Sequence, residues 1–323
     1  MNKFVKDVLK TIDSHNMIER GHTVIAAVSG GFDSICMLHV LCSLAPIRKF
    51  NLCAAHINHL FRHDSNQDEQ YVADLCEKWH IKLYTKRVDV KKCAALNKMS
   101  FETAGREVRY AFFNELLDTI SNSVVATAHN ANDNAESVIM HLLRGSGLSG
   151  LTGIKPVRGK IIRPIIERTR TEIELYCSDY QLAPKTDYTN FDDTYTRNDI
   201  RLNLMPHIAK RGGAEAIVRA ANLLATDEDF LVQHTEYIFD KYVAFDENKY
   251  IIDIKDFNKL HLSLQRRLIR RILADTNKQI GLLHIDSIIS IARKNYGGKR
   301  ASVPGGIVAQ IEKGKLIVLY RGE

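Results

Sequence analysis

The spacing of apolar residues changes several times along the chain, and each change marks an element. Residues 2–15 set apolar side chains three and four apart between charges, which predicts a short amphipathic helix. Thr23–Val28 is instead a continuous apolar run rich in β-branched residues, bounded by Gly21 and Gly30. That is the pattern of a strand buried on both faces of a parallel sheet. Helical spacing resumes from Asp33 to Leu44. A second strand is predicted at Leu52–His56, and a helix at Asp64–His80 with Ser65 as N-cap and Asp68 at N3. Then come a strand at Lys82–Val88, a long helix at Glu102–Ile120, a strand at Ser123–Ala128 and a helix at Ala131–Leu143. The cluster Gly145, Gly147, Gly150 and Gly153 ends that helix. Strands alternating with helices predict an α/β fold: an open, mostly parallel sheet with helices on both faces.

From Arg163 the pattern turns mostly helical, with helices at Arg170–Tyr180, Asn198–Ile208 and Glu215–Tyr242 and a polar loop at Asp187–Asp193. After residue 245 it changes again. Tyr250–Ile254 reads as a strand, Ser263–Asp275 and His284–Arg293 as helices, and Ser302–Leu319 as a hairpin turning at Lys313–Gly314. The expected organisation is a catalytic domain over 1–212, a helical linker over 213–245 and a small α+β domain over 246–323. No internal repeat is visible.

Composition narrows the class. A chain of 323 residues with 45% hydrophobic and 26% charged residues has enough apolar material for one large or two smaller cores. No uninterrupted apolar stretch approaches the roughly 20 residues that span a bilayer. The opening segment keeps its charges and lacks the apolar centre of a signal peptide. A cytoplasmic protein without a membrane partner is therefore expected. Cys36, Cys42, Cys53, Cys76, Cys93 and Cys177 form no CxxC pair, so free and mostly buried thiols are expected rather than disulfides or a cluster site. Charge is uneven. Residues 251–323 hold fourteen Lys/Arg against six Asp/Glu, which accounts for all the excess in a chain of net charge +7. Such asymmetry points to a polyanionic partner, with a solvated basic face as the plainer reading.

The segment Ser29-Gly30-Gly31-Phe32-Asp33-Ser34 follows the first strand and opens a helix. Glycines let the backbone turn sharply and come close to a ligand, and a helix N-terminus offers free N–H groups to an anion. Ser29 and Ser34 add hydroxyl donors. The spacing is neither GxxxxGK[ST] nor GxGxxG. A pyrophosphate cradle with an acidic residue suggests ATP, with Mg²⁺ held through Asp33. The plainer role for Asp33 is helix capping.

These residues resemble the PP-loop of the N-type ATP pyrophosphatases, which cleave ATP between the α and β phosphates and adenylate an oxygen. Further segments narrow the resemblance: His56-Ile57-Asn58-His59-Leu60-Phe61-Arg62, Phe101–Tyr110, Thr127–Glu136, Arg163-Pro164, Asp187-Tyr188-Thr189-Asn190 and Arg197-Asn198-Asp199-Ile200-Arg201 with Pro206. Taken in order over residues 22–210, and more faintly beyond, they are similar to the tRNA(Ile)-lysidine synthases. That family joins the side-chain amine of free L-lysine to C2 of the wobble cytidine in an isoleucine tRNA with a CAU anticodon, through an adenylated tRNA. The resemblance implies ATP and Mg²⁺ as cofactors and tRNA(Ile) and lysine as partners. It leaves oligomeric state open, a homodimer included.

Roles carried over by the resemblance follow the matching positions. Ser29, Gly30, Gly31, Phe32, Asp33 and Ser34 would hold ATP, with His56 and Asn58 at the edge of the second strand. Asp133 and Glu136, three apart on one helix face, would take the cationic ends of lysine, and one would accept its proton. The alternative for both is a solvated helix N-terminus. His129 would stand beside them. Arg106 and Arg109 suit phosphate and base-edge contacts, against the alternative of a surface charge stripe with Glu102 and Glu107. Arg201 suits the ATP phosphates or the charge developing on the transferring group, against a pair with Asp199 or Asp187. Asn130, Asn132 and Asn134 stand where the family commonly has His, Asp and Gln. The change at Asn132 takes away the second acid that a metal role there would use. Arg266, Arg267, Arg270, Arg271, Lys299 and Arg300 are the expected tRNA contacts. Two other readings stand beside this one. A tRNA 2-thiolase on the same fold is disfavoured by the missing CxxC. A non-catalytic RNA-binding relative is favoured only by the altered asparagine block.

Overall fold

A computed structural model describes residues 1–60, 65–185, 196–275, 280–294 and 298–320. Asp187–Asn190, and Phe61 and Arg62 of the segment His56–Arg62, lie outside that range. The chain divides into two compact units, Met1–Leu224 and Ala225–Glu323. The division falls inside a long helix, between the two boundaries that the sequence suggests.

The first unit runs α1 (Lys3–Ser14), β1 (Thr23–Ala27), α2 (Phe32–Arg48), β2 (Asn51–Asn58), α3 (Ser65–Lys78), β3 (Lys82–Arg87), α4 (Val90–Leu96), α5 (Phe101–Thr119), β4 (Ser123–Ala126), α6 (Ala131–Leu143), α7 (Leu148–Leu151), β5 (Val157–Arg158), β6 (Ile161–Ile162), α8 (Arg170–Asp179), α9 (Thr196–Asp199), a wide turn of π-helix at Ile200–Leu204, and α10 (Met205–Ala209). Then α11 (Gly213–Tyr242) begins. The strand order is β3-β2-β1-β4-β6-β5. All pairings are parallel except the last, so β5 is an antiparallel edge strand. Alternating residues of the central strands enter two cores. Val24 and Ala26 of β1, with Val124 and Ala126 of β4, pack with α1, α2 and α8. Ile25 and Val125 pack on the opposite face with Phe112, Phe113 and Leu116 of α5. This two-sided burial is why β1 reads as an unbroken apolar run.

Short elements escape the periodic reading. The β5–β6 hairpin has two residues per strand around Gly159 and Lys160, too few to show alternation. The predicted helix over Asn198–Ile208 is broken by the wide turn, where the Met205 N–H bonds to Ile200 O, five residues back. Pro206 follows at once. It has no N–H to give Leu202 O, and its ring crowds that carbonyl, so the backbone opens there. Ile200 and Met205 anchor the segment against Ala131 and Ala135 of α6 and Val218 of α11.

The second unit holds the rest of α11, then β7 (Val243–Asp246), β8 (Lys249–Asp253), α12 (Ile254–Lys259), α13 (Leu262–Ile272), α14 (Leu282–Lys294), β9 (Arg300–Val303), β10 (Ile307–Glu312) and β11 (Lys315–Tyr320). Its sheet is antiparallel, in the order β7-β8-β11-β10-β9. The sequence predicts one hairpin where the structure has three strands, with the Lys313–Gly314 turn as predicted. Leu268, Ile269 and Ile272 of α13 and Ile285, Ile288 and Ile289 of α14 share a core with Ile252, Ile307 and Val318.

Candidate active site between β1 and β4

Strand order reverses direction at β1: β2 and β3 lie to one side, and β4 and β6 to the other. Ligands of open α/β sheets bind beyond the carboxyl ends of strands at such a switch point. The Ser29–Ser34 loop leaves β1 there, and the Thr127–Glu136 block leaves β4.

Gly30 turns the loop with φ 97°, a region that side chains rarely adopt. Ser34 organises the turn. Its buried Oγ accepts the Ser29 and Gly30 N–H groups, each at 3.2 Å, and donates to Gly31 O at 3.0 Å. This hydroxyl is spent within the loop, where the sequence suggests a donor to ligand. What remains for an anion is the first turn of α2, whose N-cap Gly31 brings no capping side chain. Those N–H groups face outward with the positive end of the helix.

Asn130 is the N-cap of α6. Its Oδ1 accepts the Asp133 N–H at 3.0 Å, and Asp133 Oδ2 accepts the Asn130 N–H at 3.1 Å. The remaining donor, Nδ2, reaches Asp33 Oδ1 at 2.9 Å. One buried amide thus ties the phosphate loop to the carboxylate block. Burial, and then the charge of Asp133, push the Asp33 carboxyl above the usual carboxylate range, against Arg170, the Asn130 hydrogen bond and Arg201. Arg170 Nη1 lies 3.7 Å from Asp33 Oδ2.

Two arginines close over Asp133 and Glu136. Arg201 Nε donates to Glu136 Oε1 at 2.7 Å and its Nη2 to Asp133 Oδ1 at 2.9 Å. Arg197 Nε donates to Glu136 Oε2 at 3.0 Å and its Nη2 to Asp133 Oδ1 at 2.9 Å. The Glu136 side chain is only 2% exposed. Both oxygens of this buried carboxylate accept from guanidinium donors, which offsets the cost of its desolvation. Burial alone would pull the Arg201 guanidinium down; Glu136, Asp133 and Asp33 outweigh this and raise it.

Histidines and Arg109 line the same end of the sheet. Burial pushes the His129 imidazole down to about 4, with Asp133 opposing and Arg163, Arg197 and Arg109 adding to it. Burial, Arg109 and His56 likewise bring His59 to about 4. Both rings are neutral near pH 7. His59 Nδ1 is buried with no hydrogen-bond partner among the described residues. Arg109 is an exposed residue, yet desolvation lowers its guanidinium, Tyr110 opposing and Arg106 adding like-charge repulsion. Such shifts gather where binding or chemistry happens.

The PP-loop domain family matches residues 1–208. A tRNA(Ile)-lysidine synthase of Clostridium acetobutylicum is 41% identical over 312 residues, which cover 94% of this chain and 68% of that protein. The chain belongs to the tRNA(Ile)-lysidine synthase family. Another lysidine synthase, from Clostridium tetani, is 38% identical over 324 residues, covering 97% of this chain and 68% of its own length. The fold extends further. A U34-tRNA thiolase of Methanococcus maripaludis superposes with a TM-score of 0.58 at 19% identity, over 69% of this chain and 79% of that one.

Against this lysidine synthase background, the sequence-predicted residues separate into those that converge and those that do not. Asp33, His129, Asp133, Glu136 and Arg201 form one cluster. Arg109 stays close enough to His129 and His59 to help lower both, whereas Arg106 turns away. Arg106 lies over the Tyr110 ring, 4.9 Å from its centroid, in an open pocket of about 270 Å³ shared with Arg158 and Ile161. His56 and Asn58 are buried supports. His56 Nδ1 lies 2.8 Å from Val28 O, and Asn58 Nδ2 donates to Glu69 Oε2 at 2.8 Å. Arg197, Arg170 and Asn130 belong to the cluster without having been singled out as site residues. The spacing of Arg197 and Arg201, four apart like any one-face helical pair, was the available signal. Asn132 Oδ1 accepts the Arg170 N–H at 3.0 Å, and Asn134 Oδ1 the Ile154 N–H at 2.7 Å. The asparagines are therefore structural ties. Gly153, at φ 68°, leaves the space that Asn134 fills.

In the second unit, three of the predicted tRNA contacts are engaged by carboxylates. Arg266 grips Asp286 at 2.9 and 3.0 Å, Arg267 pairs with Glu228, and Arg271 Nε meets Glu236 Oε1 at 2.9 Å. Arg270, Lys299 and Arg300 are exposed.

Proposed function

We propose that this chain is an ATP-dependent ligase that joins the side-chain amine of L-lysine to C2 of the wobble cytidine in the CAU-anticodon isoleucine tRNA, converting it to lysidine. One observation carries the reading beyond family membership: Asn130 holds Asp33 of the phosphate loop 2.9 Å from an amide that also caps the helix bearing Asp133. Adenylation and amine transfer thus share one end of the sheet, as a two-step reaction on a single base requires.

ATP places its phosphates on the open first turn of α2, with the Gly30–Gly31 backbone close beside them. The cytidine O2 attacks the α-phosphorus and pyrophosphate departs. Arg201 and Arg170 lie near enough to Asp33 to steady the charge that develops there. The residues fit Mg²⁺: Asp33 is a desolvated carboxylate facing a second acid, and this ion commonly takes one or two carboxylates plus phosphate oxygens. Bound there, Mg²⁺ would neutralise the departing pyrophosphate. Lysine lies against Asp133 and Glu136, a carboxylate takes the proton from its attacking amine, and AMP leaves from C2. His129 stays neutral and accepts or donates one hydrogen bond at this end. Arg109 meets the anticodon backbone. Arg270, Lys299 and Arg300 of the second unit meet tRNA phosphates, while Arg266, Arg267 and Arg271 hold α13 in position. The reaction is cytoplasmic, where tRNA and ATP are.

The test uses purified protein, Mg-ATP, labelled lysine and unmodified isoleucine tRNA. Label should enter the tRNA only with ATP, and not when the wobble cytidine is replaced. Pyrophosphate release without label transfer would reject lysine as the nucleophile.

A further inference from the structure

The carboxylates assigned to lysine are already occupied by cations of the chain itself. Asp133 and Glu136 carry two negative charges, and Arg197 and Arg201 carry two positive ones. Every carboxylate oxygen facing the pair has a guanidinium donor, apart from the Asp133 Oδ2 that caps Asn130. A lysine ammonium added to this arrangement would be a third cation around a Glu136 that is 2% exposed. One guanidinium has to leave, and the exchange of one cation for another keeps the buried charge balanced.

The two arginines are not equivalent. Arg201 makes three hydrogen bonds to the carboxylates, at 2.7, 2.9 and 3.0 Å, is 26% exposed and is also drawn by Asp33. It follows Ile200, which is buried against α6. Arg197 makes two such bonds, is 35% exposed and lies outside the wide turn.

We propose that Arg197 is a built-in competitor for the lysine ammonium: its guanidinium fills the amine position between Asp133 and Glu136 until lysine displaces it, while Arg201 stays. The inference rests on the proposed lysine transfer and adds a specificity-determining residue to it. Arg197 sets how much lysine the reaction needs, because the apparent affinity of a site open for only a fraction of the time is reduced by that fraction. A seated guanidinium with two charge-assisted bonds also turns away weak or singly bonded amines, so a ligand must match those bonds to enter.

The experiment is the lysine dependence of label transfer at saturating ATP and tRNA, for wild type and Arg197→Ala. The alanine variant should show a lysine KM lower by about tenfold, or about 1.4 kcal/mol. Millimolar guanidinium chloride should raise the KM of that variant competitively, and raise it much less in wild type, whose own guanidinium is in place. A merely structural role for Arg197 would not produce that rescue of competition. Arg197→Lys, which keeps a long cation, should hold the KM near wild type. Arg197→Gln carries the same expectation as alanine should the alanine variant not fold. A lysine KM unchanged or raised in both neutral variants would overturn the inference while leaving lysine transfer by the wild type intact. Absence of transfer by the wild type would overturn the proposed function itself, and this inference with it.

Discussion

The two units treat their charges in opposite ways. On α13 of the second unit, three of the four arginines are matched one to one: Arg266 with Asp286, Arg267 with Glu228 and Arg271 with Glu236. The strong positive balance of residues 251–323 is largely met by the acidic stretch just before it. Residues 225–323 together hold sixteen Lys/Arg against thirteen Asp/Glu. At the end of β1 and β4, charges are crowded and shared instead. Asp33 is pushed up by burial and Asp133, Arg109 is pulled down by desolvation, and two imidazoles are held neutral. A matched pair holds elements together, whereas a crowded and desolvated group stores an interaction that a ligand can complete. Formal charge along a sequence therefore marks where cations are, and only the fold says which of them are available to a partner.

The largest effect that separates the two regions should come from Asp33→Asn. Pyrophosphate release should fall on the order of 10³-fold. Thermal stability should hold or rise, because a carboxyl whose pKa is raised by burial weakens the folded state whenever it is ionised. Loss of both together would mean that Asp33 is structural. Next, Glu136→Ala should leave Arg197 and Arg201 without their buried partner, lowering stability by roughly 3 kcal/mol. Lysine transfer should fall further than pyrophosphate release, measured in the same reaction; equal losses would remove the division of roles between the loop and α6. In the second unit, Arg267→Ala should lower the melting temperature with little change in tRNA affinity. Arg270→Ala should weaken tRNA binding at every sequence and reduce the salt slope by about 1 while leaving stability alone. The reverse pattern would put the matched arginines on the RNA.

The smallest effect is in pH. His59 and His129 ordinarily titrate near 6.5 and are brought to about 4 in the folded chain. The unfolded chain takes up protons first on acidification. Their contribution is complete above about pH 6.5 and is lost as pH falls from there through about 4. Denaturant titrations of wild type and His59→Asn across that range should show a shallower acid-side loss for the variant.

The sequence carried most of the first unit because its signals are local. The run Thr23–Val28, the glycines after it and the helix that follows are contiguous, and Asp133 and Glu136 share one turn. What the sequence did not carry is tertiary. Arg197 finds Glu136 from 61 positions away and Arg267 finds Glu228 from 39, and no periodicity encodes either partner. Ser34 reads as a ligand donor because the sequence cannot tell that its hydroxyl turns inward to Ser29 and Gly30. The cysteines were legible by type: Cys36, Cys53, Cys76 and Cys177 are buried and all six are free.

The most direct measurement follows the α-phosphate of ATP before any lysine is present. Protein, unmodified CAU-anticodon isoleucine tRNA and ATP labelled at the α-phosphate are mixed, and the tRNA is isolated, then chased with unlabelled lysine. The account predicts label on the tRNA that is released as AMP when lysine is added, with one lysine incorporated per label lost. Label that appears only once lysine is present, carried by the amino acid rather than the tRNA, would contradict it.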